Sequence, residues 1–287
     1  MKLFCNAKLN ISLSIVGMAS NNYHLIDSLF VPISLHDTLT ISRGSGKFSI
    51  MHPNGVPIDY IPKTADNTCI KAITEFSKFT DIECNVDIKL VKRIPSGGGL
   101  GGGSSDAGGV IKALDTIYHT NLSSDDMLKI AAKVGADVPF FIINKPCRVR
   151  GIGDELSLTT SKYKNAIIFM PKRVHCDTKK VYNEYDRLKT QMLEPTVTPA
   201  FAENCSPNDL LAPALNVYPK LESVAQLARL VAAKLGNAPY GMSGSGSTFW
   251  VICPPELNLY DLILDNNLDI KKYLLEHKIM FQKVDFI

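Results

Sequence analysis

Pro95-Ser96-Gly97-Gly98-Gly99-Leu100-Gly101-Gly102-Gly103-Ser104-Ser105 carries six glycines and closes on two serines. Ahead of it, Val86-Asp87-Ile88-Lys89-Leu90 alternates apolar with polar residues, the period of a half-buried strand. Behind it, Ala107, Val110, Ile111, Leu114 and the pair Ile117-Tyr118 recur at helical spacing, which predicts a helix beginning near Ser105 and Asp106. Backbone without Cβ atoms curls tightly and lets a ligand come close. A helix N-terminus adds unpaired N–H groups and the positive end of a dipole. Strand, glycine turn and helix together make a phosphate cradle. The alternative is a flexible linker, but linkers seldom sit tightly between a patterned strand and an amphipathic helix.

Three phosphate-loop templates compete. The Walker loop needs a lysine directly after its glycines, and none follows here; Gly44-Ser45-Gly46-Lys47 ends on Phe48 where Ser or Thr is required. Gly97-x-Gly99-x-x-Gly102 fits the dinucleotide fingerprint, but the preceding strand carries Asp87 and Lys89, whereas a central parallel strand is apolar throughout. The acidic residues at about the required 20-residue distance, Asp125 and Asp126, sit in Ser123-Ser124-Asp125-Asp126, which reads as a capping box opening a second helix.

The third template fits as it stands. Pro-x-Gly-Gly-Gly-Leu-Gly-Gly-Gly-Ser-Ser-Asp-Ala resembles the phosphate loop of the GHMP kinases (galacto-, homoserine, mevalonate and phosphomevalonate kinases). Further motifs, in order, resemble the branch of that family whose acceptor is a cytidine diphosphate methylerythritol. Leu3 to Ile15 alternate with polar residues, predicting a long strand with one core face. From spacing alone Lys8, Asn10 and Ser12 share its solvated face. The resemblance of Ala7-Lys8-Leu9-Asn10 implies instead that Lys8 is catalytic and that Asn10 binds substrate. Asn22-Tyr23-His24 reads as a polar turn; by resemblance Tyr23 stacks on the cytosine and His24 hydrogen-bonds it, although the family's usual Asp-Gly before Tyr-His is Asn21-Asn22 here. Phe30 packs near the base pocket or simply in the core. Gly135-Ala136-Asp137-Val138-Pro139 taken alone makes Asp137 a helix cap. The resemblance makes it the catalytic aspartate, able to accept a proton from an attacking hydroxyl. Thr178 and Tyr182 match a substrate-contacting threonine and the second aromatic of a cytosine sandwich, or else open an ordinary helix. Asn208-Asp209-Leu210 and Gly241-Met242-Ser243-Gly244-Ser245-Gly246-Ser247-Thr248 match two later motifs, the latter lying beside the phosphate loop.

The remaining segments read as ordinary elements. Val31–Leu35 and Asp37–Ile41 are two strands and Phe48–Ile50 a weaker one. Ile70, Ile73 and Phe76 mark a helix. Ala166–Pro171 is a short buried strand, Glu194–Pro199 a loop, Leu221–Leu235 a helix stopped by Gly236, and Ile279–Val284 a closing strand.

The totals agree with an enzyme of this kind. The 287 residues hold one large domain or two ordinary ones, are 45% hydrophobic and 21% charged, and carry a net charge of +3, too mild for a nucleic-acid surface. The seven scattered cysteines suit a reducing cytoplasm. Asn6, Lys8 and Asn10 interrupt any signal-peptide core, and no apolar run approaches membrane-spanning length.

The resemblance implies an α+β fold in two domains, residues 1–160 and 161–287, with the active site in the cleft between them. It implies ATP as co-substrate, with Mg²⁺, bound on Pro95 to Ser105, and no nucleic-acid or membrane partner. Another GHMP kinase, a dehydrogenase and a non-catalytic metabolite sensor remain as alternatives.

Overall fold

The computed structural model describes residues 1–53, 66–191, 205–264 and 270–287, so the loop reading of Glu194–Pro199 lies outside the described residues. The opening alternation forms β1 (Lys2–Met18), which turns back into β2 (His24–Arg43). Asn22 takes φ 62° in that turn, the left-handed conformation asparagine tolerates, and Ala19 N donates to Tyr23 O at 2.8 Å. Residues 31–35 and 37–41, read as two strands, are one. The ladder passes His36 because the register against β1 shifts at Asn6/Ala7, a bulge that absorbs the odd residues.

β2 is the spine of the first sheet. β1 lies along one edge. On the other, β4 (Val86–Val91) pairs antiparallel with Thr38–Arg43 and β5 (Cys147–Arg150) with Ser28–Phe30. β3 (Phe48–Met51) lies parallel beside β4, and β6 (Glu155–Leu158) antiparallel beside β5. The strand feeding the glycine run is therefore antiparallel to its long neighbour, not a member of the all-parallel sheet on which a dinucleotide fingerprint works.

The second sheet is antiparallel, in the order β10 (Ile279–Asp285), β7 (Asn165–Pro171), β9 (Phe249–Ile252), β8 (Tyr240–Met242). β7 is buried at every position, as its unbroken apolar run requires.

α1 (Thr68–Thr80), α2 (Gly102–Tyr118) and α3 (Ser124–Val134) bury their apolar stripes against the first sheet, with α4 (Val138–Ile143) packed on α2 and α3. Ser123 caps α3 as its sequence predicts, accepting from Asp126 N at 3.1 Å, and Gly135 ends it. α2 starts earlier than its apolar residues suggest. Ser105 N already donates to Gly101 O at 2.9 Å, so Gly102 and Gly103 form a first turn that glycine's poor helix propensity conceals. α5 (Thr178–Thr190), α6 (Leu211–Val217) and α7 (Leu221–Lys234) pack on the second sheet, and α8 (Leu259–Leu264) and α9 (Ile270–Glu276) precede β10. The mixture is α+β.

The two sheets meet face to face through one apolar cluster. Ala7, Leu9, Ile11, Val31 and Ile33 from the first pack with Ala166, Ile168, Met170 and Trp250 from the second. Trp250 is fully buried there, and its Nε1–H donates to Asn10 O at 3.0 Å. Trp250→Ala should therefore lower unfolding stability by about 3–5 kcal/mol. Denaturant titration followed by far-ultraviolet circular dichroism checks this, since the chain's one tryptophan is lost in the variant.

Candidate active site

The glycine run hangs from its carbonyls. Gly97 O accepts from Cys176 N at 3.1 Å, Gly98 O from Thr248 N at 3.1 Å and Leu100 O from Lys8 N at 3.0 Å. Gly99 O accepts from Ser243 Oγ at 2.8 Å. Gly97, Gly99 and Gly101 take φ of 65°, 73° and 70°, while Gly98 and Leu100 do not share that sign. Such alternation turns successive N–H groups toward one concave side, an anion nest. Among the described residues, no backbone amide from Gly99 to Gly103 donates to another backbone carbonyl. The loop thus presents donors to a cavity of about 420 Å³.

The cavity wall gathers residues from distant parts of the chain: Lys8 and Asn10, Pro95 to Ser104, Asp137, Thr178, Tyr182 and Gly244 to Gly246. Ser105, grouped with the loop by sequence, is instead packed inside α2 and is 3% exposed. The face of β1 that spacing alone leaves to solvent is covered here, and Lys8 and Asn10 are 3% and 1% exposed. The phosphate loop and the 243–248 loop bury it from above, contacts that strand periodicity does not contain.

Lys8 Nζ lies 3.7 Å from Asp137 Oδ2, donates to Asn10 Oδ1 and stands 4.5 Å above the Phe30 ring. Burial pulls its pKa below the ordinary lysine value, and Asp137 draws it part of the way back. Asn10 is fixed in turn, its Nδ2 donating to Ser28 Oγ at 3.0 Å and its backbone N to Ser243 Oγ at 3.1 Å. Asp137 occupies the N-cap position of α4, yet its side chain makes no capping bond. That position turns a third-exposed carboxylate toward Lys8 instead of toward its own helix.

The residues expected around a flat base are only partly assembled. Tyr182 lines the cavity, and burial followed by Asp137 pushes its phenol up to about 12. Thr178 Oγ1 is 3.0 Å from Ser245 Oγ, tying α5 to the 243–248 loop. His24 lies behind Tyr182, ring centroids 4.7 Å apart, with Nε2 2.8 Å from Asp186 Oδ1. Tyr23 stands on the hairpin turn, 62% exposed and outside the cavity wall. Phe30 proves to be both core and wall, 2% exposed and facing the cavity.

Asn208 entered the sequence reading only as part of a motif, and Lys92, Asp37 and Asp106 escaped it as site residues. Asn208 Nδ2 donates to Met242 O at 2.8 Å and Gly244 O at 2.9 Å, clamping the loop that carries Ser243. Lys92 lines the cavity and pairs with buried Asp37 and Asp106. All three stand in phase with core residues, Lys92 with Leu90, Asp37 with Leu39 and Asp106 with Val110, and a charge in phase with a core is a readable anomaly.

Comparison with known proteins adds independent findings. Residues 67–145 match the model of the GHMP kinases N-terminal domain. A 4-diphosphocytidyl-2-C-methyl-D-erythritol kinase of Persephonella marina is 31% identical over 88% of this chain and 91% of its own. One from a Sulfurovum species is 34% identical over 85% of this chain and 96% of its own. A crystal structure of 4-(cytidine 5'-diphospho)-2C-methyl-D-erythritol kinase superposes with a TM-score of 0.70 and 27% identity, covering 99% of both chains.

The loop geometry is specific enough to test by stability. A Cβ on Gly99 would stand 2.0 Å from Ser243 O at a φ of 73°, whereas one on Gly46, φ 88°, meets nothing within 4 Å. Gly46→Ala should lose about 1–3 kcal/mol, the strain of the left-handed conformation. Gly99→Ala should lose clearly more, because backbone must also move; thermal unfolding of the two variants side by side measures the difference.

Proposed function

Because the chain belongs to the 4-diphosphocytidyl-2-C-methyl-D-erythritol kinases of the GHMP kinase family, we propose that it transfers the γ-phosphate of ATP to the 2-hydroxyl of 4-diphosphocytidyl-2-C-methyl-D-erythritol. The products are the 2-phosphate and ADP, a step of non-mevalonate isoprenoid precursor synthesis. One observation carries the reading: a buried ammonium and a carboxylate from distant parts of the chain meet 3.7 Å apart in the cavity that the glycine loop roofs.

Each side chain then has a task. The loop amides and the N-terminus of α2 hold the triphosphate. Asp137 accepts the proton of the substrate hydroxyl as its oxygen attacks phosphorus, and Lys8 steadies the charge that develops there. Asn10, held by Ser28 and Ser243, fixes where the Lys8 ammonium points. Thr178, Tyr182, His24 and Tyr23 grip the cytidine end, so that binding far from the reacting atoms is spent on orientation. For Tyr23 this requires the hairpin turn to fold over the base. Residues 1–160 supply the phosphate loop and the reacting pair; residues 161–287 supply the opposite wall.

ATP is the co-substrate. Among the described residues no group of three His, Cys, Asp or Glu side chains could hold a metal ion, so the chain builds no magnesium cage of its own there. Mg²⁺ would arrive on the phosphate oxygens of ATP, and no step above depends on it. The seven cysteines are free, which supports a reducing compartment, the cytoplasm.

ADP release, measured with the cytidine substrate and then with mevalonate or homoserine, tests the assignment: turnover should require the cytidine compound, and equal rates with the others would defeat it. Asp137→Asn should lower kcat by about 10²–10⁴-fold with ATP affinity little changed. The pH profile carries a further signature. The Lys8 pKa is depressed, so its charge, and kcat with it, is lost as pH rises through a value below 10.5. Asp137 raises that value; in Asp137→Asn the alkaline limb of the residual activity should move to still lower pH.

A further inference from the structure

Lys92, Asp37 and Asp106 form a buried ionic trio for which the chemistry above has no use. Lys92 Nζ lies 2.7 Å from Asp106 Oδ2 and also donates to Asp37 Oδ2. The two carboxylates are unequal. Asp37 Oδ1 accepts from Arg93 N and, at 2.9 Å, from Ile94 N, so both of its oxygens are engaged. Asp106 Oδ1 is buried and has no hydrogen-bond partner, in a residue 2% exposed. The ammonium between them borders the cavity: Lys92 lines it, and a Cβ added to Gly102 would stand 3.3 Å from Nζ. A cation shared by a saturated and a half-satisfied carboxylate therefore sits directly behind the glycines at the start of α2.

We propose that Asp106 takes up a proton when an anionic triphosphate settles in the glycine loop, freeing Lys92 from one of its two anions for the ligand, so that nucleotide binding and protonation of Asp106 are a single event. This rests on the kinase reading above. A proton from solvent forms an O–H bond on Asp106; no other bond forms or breaks.

The surroundings favour Asp106 as the acceptor. Among the described residues Cys5 on β1 and Cys69 on α1 also lie near it, and burial pushes both thiols up, so neither carries charge. Lys112, further along α2, acts on Cys5. Burial, opposed by Lys92 and aided by the like charge of Asp37, already raises Asp106 to about 7. Lys92 stays protonated: burial lowers its pKa, but Asp106 and Asp37 together raise it well above the ordinary lysine value. A triphosphate adds further negative charge a short distance away, which raises the Asp106 value again. Asp37 keeps Lys92 in place meanwhile, through its own bond to the ammonium. A neutral carboxyl also leaves its unpartnered oxygen at less penalty than an anion does.

Calorimetric titration with a non-hydrolysable ATP analogue near pH 7, in two buffers of different ionisation enthalpy, counts the protons exchanged. The analogue's own titration is common to wild type and Asp106→Asn and cancels in their difference. Wild type should take up more proton than the variant. Its dissociation constant should also rise with pH more steeply than that of Asp106→Asn, by up to about a further tenfold per unit. Equal proton counts would overturn the proposal while leaving the kinase reading intact. Absence of nucleotide binding by wild type would overturn both. Infrared difference spectra of wild type on nucleotide addition decide the matter without the variant, should it not fold: a new protonated-carboxyl band supports the proposal, and its absence rejects it.

Discussion

Everything at the site depends on how the glycine loop is held. Four successive carbonyls, Gly97 to Leu100, are taken by donors from β1, from the segment before α5 and from the 243–248 loop. A loop of six glycines would otherwise sample many conformations, and ordering it would oppose folding by roughly 1–2 kcal/mol per residue. Here the ordering is achieved with folding, through bonds that use only the acceptor side of each peptide unit. The donor side is left for a ligand. A nest assembled before the ligand arrives need not be ordered by it.

The same arrangement explains why the two sheets must pack as they do. Lys8 holds the loop through its backbone N and meets Asp137 through its ammonium, so β1 cannot shift without moving both. Asn10, one alternation further, is tied by its carbonyl to Trp250 in the inter-sheet core and by its N–H to Ser243. The apolar cluster between the sheets thus sets the distance across the cavity. The burial that depresses the Lys8 pKa comes from the other face of β1, where the phosphate loop and the 243–248 loop cover it.

Most of the architecture was legible in the sequence, because period and punctuation are local. The β1 alternation, the Ser123 cap, the Gly135 stop and the buried run of β7 all appear where they are expected. The join of 31–35 to 37–41 was not legible, since a bulge is decided by the partner strand. Nor was the first turn of α2, since glycine carries no helical signal. For the site, Lys8 and Asp137 were singled out only through resemblance, and the structure brings both to the cavity that the glycine run borders. Spacing alone put Lys8 in solvent, because the elements that cover it come from residues near 100 and 243. The position of Tyr23 outside the cavity wall could not be read from its motif, which fixes its neighbours in sequence but not the fold of the turn.

Period and chemistry together carry more than either alone. In β4 the side chains at 86, 88 and 90 are core, and the same phase reaches Lys92; in β2 positions 35, 39 and 41 are core, and the phase includes Asp37. In α2 Asp106 lies one turn before Val110 on the buried stripe. Three charges of mixed sign, each in phase with a core and in three separate elements, leave few resolutions. Burying any one alone costs far more than a domain's net stability permits. They must therefore meet, and the strand that ends just before Lys92 leads directly into the glycine loop. Out-of-place charges in separate elements thus form a long-range contact prediction available from one sequence. Here that contact falls beside the loop, where an extra cation and a carboxyl able to change its charge have a use.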